Sequence, residues 1–372
     1  MGRDSGDQFP YAAFFWPALV AASASETASL MSAQFVEMLG DGGRAPQPPE
    51  GVTASELVLD LQAVRLRDFS LVECGVPTLL CSPYALHGAV IADLAAEHSL
   101  VAALRGAGIE RLFMADWRSA TPDMRFLGID DYLAALNVLV DHLGGTVDLI
   151  GLCQGGWLSL IYAARFPTKV RKLVMIGTPV DVAARQSKLS AMAEATPLAV
   201  FKNLVNLGDG RVIGRNLARV WRGGVIESDE IRKSLQTPQP AGSPEFARLE
   251  AIFRRWNAWT IDMPGTYYLE VIEKFYKRNE LAAGEFVALG QRIELSRLRL
   301  PIYLLAGNAD EVVTAEQLFA VAGLVSTQPE FVREEVAPSD HLGLFMGKRT
   351  LEEYWPRIAA WLNEPLPQPS VM

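Results

Sequence analysis

The run Val147-Asp148-Leu149-Ile150-Gly151-Leu152-Cys153-Gln154-Gly155-Gly156-Trp157-Leu158-Ser159-Leu160-Ile161 constrains this chain more than any other stretch. Apolar residues of strand character end at Gly151, a thiol follows two positions later, and a glycine pair opens a segment of helical spacing. This is the pattern of a nucleophile elbow, a strained strand-to-helix turn that lifts a reactive side chain above the end of a sheet, here with Cys153 in place of the usual Ser. Glycines at 151, 155 and 156 fit, because a Cβ there would obstruct the turn or the close crossing of helix over strand. The thiol would lie near the positive end of the helix dipole, which favours a thiolate and holds developing negative charge. A cysteine merely buried in a Gly-rich loop is the competing reading. The order of strand, turn and helix favours the elbow.

Strand and helix alternate on both sides of this run. Strands are expected over 64–72, 78–81, 111–115, 147–150 and 170–176, with helices over 85–104, 129–143 and 156–166 between them. Short turns join them, which predicts a mostly parallel, doubly wound α/β sheet with helices on both faces. The alternation stops after Thr178-Pro179-Val180-Asp181 and resumes with a strand over 301–306, a helix over 315–324, a strand over 331–336 and a closing helix over 351–362. The interval 183–284 is helical in pattern and rich in Trp and Tyr, broken by the Pro-rich loop 235–244, and is expected to be a cap inserted over the C-terminal edge of the sheet. The organisation predicted is therefore an N-terminal helical segment and Gly/Pro linker (1–52), a core in two parts (53–182 and 285–366) and the inserted cap (183–284).

The first part needs separate treatment, because residues 9–20 are apolar and aromatic. They lack a basic leading segment and are too short to span a bilayer, so residues 11–39 are read as one or two amphipathic helices packed on the core, on a partner or on a hydrophobic granule surface. With 43 acidic against 34 basic residues the net charge is −9, which argues against nucleic acid and anionic membranes as partners. Three cysteines give neither a disulfide framework nor a metal-ligand spacing, so no metal is expected and a reducing cytoplasm is the expected compartment.

A cysteine nucleophile needs a base, and the base needs an acceptor that fixes its tautomer. In α/β-hydrolases the three follow the chain order nucleophile, acid, His, each on a loop after a strand. Asp310, in Gly307-Asn308-Ala309-Asp310, and His341, in Ser339-Asp340-His341, meet that order. Asp340 is the rival acid, but an immediate neighbour could hardly reach round to the His341 ring. His98 and His142 fall on expected helices, and His87 lies in the loop beside the expected oxyanion hole. That hole should combine the backbone N–H of Gln154 with one from Tyr84 or Ala85, after the strand 78–81. In the cap, Trp259, Tyr267 and Tyr268 are candidates to line the route to the thiol.

The Gly151-Leu152-Cys153-Gln154-Gly155-Gly156 box is similar to that of the polyhydroxyalkanoate synthases, above all the short ones that work with a second subunit. Ala115-Asp116-Trp117-Arg118 with Asp130-Asp131-Tyr132, and Thr178-Pro179-Val180-Asp181, resemble the synthase segments flanking that box. Trp256-Asn257, the segment from Asp262 to Leu269, His341-Leu342-Gly343-Leu344-Phe345-Met346-Gly347 and Glu353-Tyr354-Trp355-Pro356 look instead like intracellular polyhydroxyalkanoate depolymerases, which usually carry Pro after the Cys-Gln pair. The resemblance covers about 71–362 and implies an α/β-hydrolase fold, a Cys-Asp-His triad, no cofactor beyond CoA as co-substrate, and a polyester or 3-hydroxyacyl-CoA substrate. A homodimer and a granule surface are partners consistent with it. On the character of the cap the reading leans to a depolymerase-like acyl hydrolase. A synthase is the near alternative, and another esterase or thioesterase and a non-catalytic granule protein remain open.

Overall fold

The computed structural model describes residues 48–222 and 226–366. The helices expected over 11–39, and the linker up to residue 47, lie outside the described residues. Eight strands form one sheet: β1 (Glu56–Asp60), β2 (Val64–Asp68), β3 (Thr78–Cys81), β4 (Leu112–Trp117), β5 (Val147–Leu152), β6 (Val170–Ile176), β7 (Ile302–Gly307) and β8 (Val332–Ala337). Their spatial order is β1-β2-β4-β3-β5-β6-β7-β8. β2 runs antiparallel to both β1 and β4, and every other neighbouring pair is parallel. β1 is absent from the sequence expectation because its Glu-Leu-Val-Leu-Asp, largely exposed at the sheet edge, continues the polar character of the linker.

The central strands are buried on both faces, and alternate residues feed two cores. Leu149 of β5 and Leu304 of β7 enter one, with α2 (Ile129–His142) and α3 (Gln154–Arg165); Ile150 and Leu305 enter the other, with α1 (Leu100–Gly106) and the helix Trp355–Asn363. Each face of the sheet is thus sealed by helices, and the open edge is the one where the parallel strands end.

The long helix expected over 85–104 does not form. Its first part is a 3₁₀ turn (Ala89–Ala92) followed by a small antiparallel ladder, Asp93–Ala95 with His98–Ser99, and only α1 is helical. The Asp93 carboxylate explains the interruption: it accepts bonds from the Thr53 backbone N–H at 2.9 Å and the Ser99 hydroxyl at 2.6 Å, tying the linker's end to this turn. His98, expected on a helix, lies in that ladder, with its buried Nδ1 2.8 Å from the Met346 carbonyl. The helix expected over 315–324 is two short ones, Ala315–Phe319 and Val321–Leu324, and the closing helix is likewise preceded by a separate one, Lys348–Glu353.

Within 183–284 lie α4 (Lys188–Ala195), α5 (Leu198–Leu207), α6 (Gly214–Arg222), α7 (Ser228–Leu235), α8 (Pro244–Ala258) and α9 (Gly265–Glu270), the last continuing into a π-helix over Val271–Lys277. Backbone bonds fasten this segment to the loops that leave the strand ends: Ile261 N–H to the Leu86 carbonyl (3.1 Å), Ala120 N–H to the Asp262 carbonyl (2.9 Å) and Tyr267 N–H to the Leu127 carbonyl (3.0 Å).

Candidate active site

β5 ends beside β3, with Gly151 in register with Cys81. Cys153 follows at φ 49° and ψ −117°, a left-handed conformation that a non-glycine residue holds only where its surroundings impose it. The imposing contacts are the backbone bond from Cys153 N–H to the Ile176 carbonyl and the close crossing of α3, both 2.9 Å in their hydrogen bonds (the second from Gly156 N–H to the Cys153 carbonyl). A Cβ on Gly151 would land on the backbone of Gly156, and one on Gly155 would strike the carbonyl oxygens of Cys81 and Ser82. These two glycines are what bring the helix N-terminus against the loop after β3.

That loop is held from below. Ser82 is buried, its hydroxyl donating to the Ala115 carbonyl at 2.6 Å and its own carbonyl accepting from Trp117 Nε1–H at 2.9 Å. The Tyr132 hydroxyl bonds the Tyr84 hydroxyl at 2.8 Å, which in turn donates to the Asp262 carbonyl at 3.3 Å. The side chain of Tyr84 is thereby committed to the wall, while Ala85 and Gln154 lie with Cys153 on the cavity surface.

Asp310 and His341 meet as the chain order implies. His341 Nδ1 is 2.7 Å from Asp310 Oδ2, and the other carboxylate oxygen accepts from Val312 N–H and Val313 N–H, both at 2.8 Å. The Asp310 side chain is wholly buried and that of His341 is 12% exposed. Burial by itself would drive the proton off His341, but the Asp310 carboxylate and the Cys153 sulfur together outweigh it and hold the imidazole well above its usual 6.5. The ring rests edge-on against Phe345, with centroids 5.2 Å apart. Asp340 points elsewhere: it accepts from Gly343 N–H at 2.8 Å and from the Ser234 hydroxyl at the end of α7.

Cys153, Gln154 and His341 open on a cavity of about 320 Å³ whose wall is predominantly apolar, including Leu86, Leu217, Met263, Val271, Ile272 and Val313. Tyr267 and Tyr268 line it; Trp259 does not. α8 ends at Ala258, and Trp259 takes an extended backbone at the cap, so its ring turns to a second cavity bordered by Arg65, Arg67 and Arg118. Trp256, one turn earlier and still helical, takes the place expected for Trp259. Ser234 and Gln236 went unread in the sequence: Gln236 Nε2 donates to Ser339 Oγ at 2.9 Å and its Oε1 accepts from Thr350 N–H at 2.9 Å, so α7 docks directly on the His341 loop. No short-range signal marks a tie between residues more than a hundred positions apart. Among the described residues no helix is long and apolar enough to cross a membrane.

Residues 245–365 match the family model described as the poly(3-hydroxybutyrate) depolymerase C-terminus. The chain is 29% identical over 329 residues to the poly(3-hydroxyalkanoate) polymerase subunit PhaC of Synechocystis, covering 84% of this chain and 85% of that one. It is 27% identical over 295 residues to the same-named subunit of Allochromatium vinosum, covering 77% and 81%. Among solved structures it resembles an epoxide hydrolase of Bacillus megaterium (TM-score 0.55, 15% identity, 82% of this chain and 99% of that) and an α/β-hydrolase fold protein of Chitinophaga pinensis (TM-score 0.51, 14% identity, 85% and 100%). At that identity the structural likeness is one of fold, and the fold is that of the α/β-hydrolases.

Proposed function

Because this chain belongs to the superfamily of polyhydroxyalkanoate synthases and depolymerases on the α/β-hydrolase fold, we propose that it is a cysteine-dependent acyltransferase of polyhydroxyalkanoate metabolism, working in the direction of synthesis. The observation that carries the reading is the convergence of Cys153 and His341 at the wall of a predominantly apolar cavity, with the buried Asp310 bonded behind His341. The substrate is a 3-hydroxyacyl-CoA, with CoA as leaving group rather than resident cofactor.

In the first half-reaction Cys153 Sγ attacks the thioester carbonyl, forming a carbon–sulfur bond. The oxyanion is held by the backbone N–H of Gln154 and by that of Ala85, or of Tyr84 beside it. Collapse breaks the bond to CoA, and the thiolate leaves with the proton carried by the His341 imidazolium. In the second, neutral His341 Nε2 takes the proton of an incoming hydroxyl, whose oxygen attacks the acyl-Cys carbonyl and expels the Cys153 thiolate. Asp310 keeps the His341 proton on Nδ1 throughout and stabilises the imidazolium.

Three observations support synthesis over the depolymerase direction to which the sequence reading leaned. The relatives from Synechocystis and Allochromatium vinosum, aligned over most of both chains, are named polymerase subunits. Residue 155, where the depolymerases usually carry Pro, leaves no room for a Cβ against the Cys81 and Ser82 carbonyls. An apolar cavity also favours transfer of the acyl group to a docked hydroxyl over release to bulk water. Purified protein incubated with 3-hydroxybutyryl-CoA is expected to release CoA and accumulate ester-linked product. Soluble acid formed from amorphous polymer, with no CoA released from the thioester, would reverse the direction.

A further inference from the structure

Past the end of α9 the cap changes its helical pitch, and the change decides which side chain meets the cavity. Tyr268, Val271 and Ile272 line it together with Cys153. At the pitch of an α-helix the residue that completes their face is Phe275. Instead the stretch Val271–Lys277 is a π-helix, with the Arg278 N–H reaching five residues back to the Glu273 carbonyl at 3.0 Å. The wider turn leaves Phe275 against Trp157 of α3, ring centroids 5.4 Å apart, and carries Tyr276 round to the cavity in its place. Such π-turns interrupt regular helical bonding and recur at functional sites.

Tyr276 brings to that wall a hydroxyl with nothing bonded to it. The residue is only 8% exposed, and its hydroxyl makes no hydrogen bond among the described residues. The Tyr268 hydroxyl and the Trp256 indole N–H also lack a partner there but are sealed from the surface, whereas the Tyr276 hydroxyl is not. Burial, and after it the Cys153 thiolate, push the phenol above its ordinary 10, so it keeps its proton at any working pH. Tyr267 shares the wall, but after burial it answers to Tyr132 and Cys81 before Cys153, and its ring packs among those of Tyr84, Tyr132 and Trp157. Of these two phenols, Tyr276 is the one whose leading charged neighbour is the nucleophile.

The chemistry of a fitting ligand follows. A polyester chain brings acceptors only, apart from its terminal hydroxyl, and a neutral phenol held in an apolar wall supplies the donor such a ligand lacks. We propose that Tyr276 is a specificity-determining residue: its hydroxyl donates a hydrogen bond to the oxygen function on carbon 3 of the acyl group, whether the free hydroxyl of a monomer or the ester of a longer chain. The proposal rests on the acyl-transfer reading of Cys153. One methylene separates the thioester carbonyl carbon from carbon 3, and a donor that feels the sulfur without being bonded to it is free for that oxygen. A plain acyl group brings no acceptor there and leaves the phenol unfilled in an apolar wall.

The test measures the second-order rate of Cys153 acylation, read by intact mass in the full-length chain, with 3-hydroxybutyryl-CoA, 3-acetoxybutyryl-CoA and butyryl-CoA. Tyr276→Phe removes the hydroxyl and keeps the ring. It is expected to slow the first two thioesters about fivefold to a hundredfold, the loss of one buried hydrogen bond, and to leave butyryl-CoA within about threefold. A merely structural role for the ring would move all three together. A wild-type protein that takes all three equally, or a Tyr276→Phe protein that keeps the wild-type ratios, overturns the proposal while leaving Cys153 as the acylated residue. A loss confined to 3-hydroxybutyryl-CoA overturns it too, because the phenol would then be accepting from the free hydroxyl rather than donating. If no thioester acylates Cys153 in the wild type, the acyl-transfer reading itself falls and the proposal with it.

Discussion

Replacing Asp310 by Asn tests the site most directly, because the structure dictates which way the new amide must face. One carboxylate oxygen takes two backbone donors, from Val312 and Val313, and the other takes His341 Nδ1. Were the amide to turn its NH₂ toward the two backbone N–H groups, donors would face donors in a place fully closed to water. Leaving two buried donors unpaired costs about 2–6 kcal/mol at 1–3 for each. The amide therefore keeps its oxygen there and presents NH₂ to His341, which forces the imidazole proton onto Nε2, the nitrogen that should accept from Cys153. The productive tautomer becomes rarer by a factor between about 30 and 10⁴, a tenfold change for each 1.4 kcal/mol, and the loss of the carboxylate charge adds to this. Acylation of Cys153 by 3-hydroxybutyryl-CoA and its alkylation by iodoacetamide at pH 7 should both slow within that range, in a protein that remains folded by circular dichroism. Asp340→Asn should stay within about fivefold of wild type, since the amide oxygen can still accept from Gly343 N–H while its NH₂ donates to the Ser234 hydroxyl, which accepts as readily as it donates. A loss under threefold for Asp310→Asn, or a larger one for Asp340→Asn, would refute the assignment of the acid.

Cys153→Ala should lower acyl transfer on the order of 10⁴-fold with little change in urea midpoint, whereas the exposed Cys74 should tolerate Ser with activity intact. Gly155→Ala should destabilise the protein by about 1–3 kcal/mol or prevent folding, because its Cβ meets backbone that no rotamer change can move, and chemical denaturation measures it. The pH dependence follows from His341, whose proton is held more tightly in the folded chain than in the unfolded one. A raised value makes its stabilising contribution complete below about pH 6.5 and lost as pH rises through the folded value. The stability gap between wild type and Asp310→Asn should therefore be widest near pH 6 and narrow toward pH 9, and a gap that widened on alkalinisation would contradict the pairing.

The central strands were legible because they are largely apolar runs buried on both faces, and because the elbow fixes one strand and one helix unambiguously, whereas the exposed edge strand β1 was not. Positions whose role depends on local order were legible for the same reason: Cys153 at a turn, Asp310 and His341 on loops after strands. The region after β3 was not, since 85–104 has helical spacing but also Asp93, whose carboxylate finds Thr53 and Ser99 and closes a turn instead. The choice of Trp259 over Trp256 failed on a boundary of one residue. α8 stops at Ala258, and a side chain beyond a helix end leaves the face that periodicity assigns to it. Ser234, Gln236 and the His87–Trp256 stack are long-range contacts without local signature, so only the folded chain reveals them.

Those long-range contacts bear on how the cap and the chemistry are linked. The end of α7 touches the chain on both sides of His341, through Ser234 on Asp340 and through Gln236 on Ser339 and Thr350. Gln236 itself stands at φ 50°, a left-handed cap that ends the helix and aims its amide at that loop. The end of α8 holds His87 through Trp256 and the Trp259 carbonyl, and α9 with its π-turn supplies Tyr267, Tyr268 and Tyr276 to the same cavity. Any displacement of α7 that opened the cavity would pull on the loop that positions His341, and so would disturb the base at the same moment as it admitted water. On the acyl-transfer reading proposed above, opening of the cavity by such a displacement would cost the catalytic geometry of His341 at the same time, which would penalise hydrolysis.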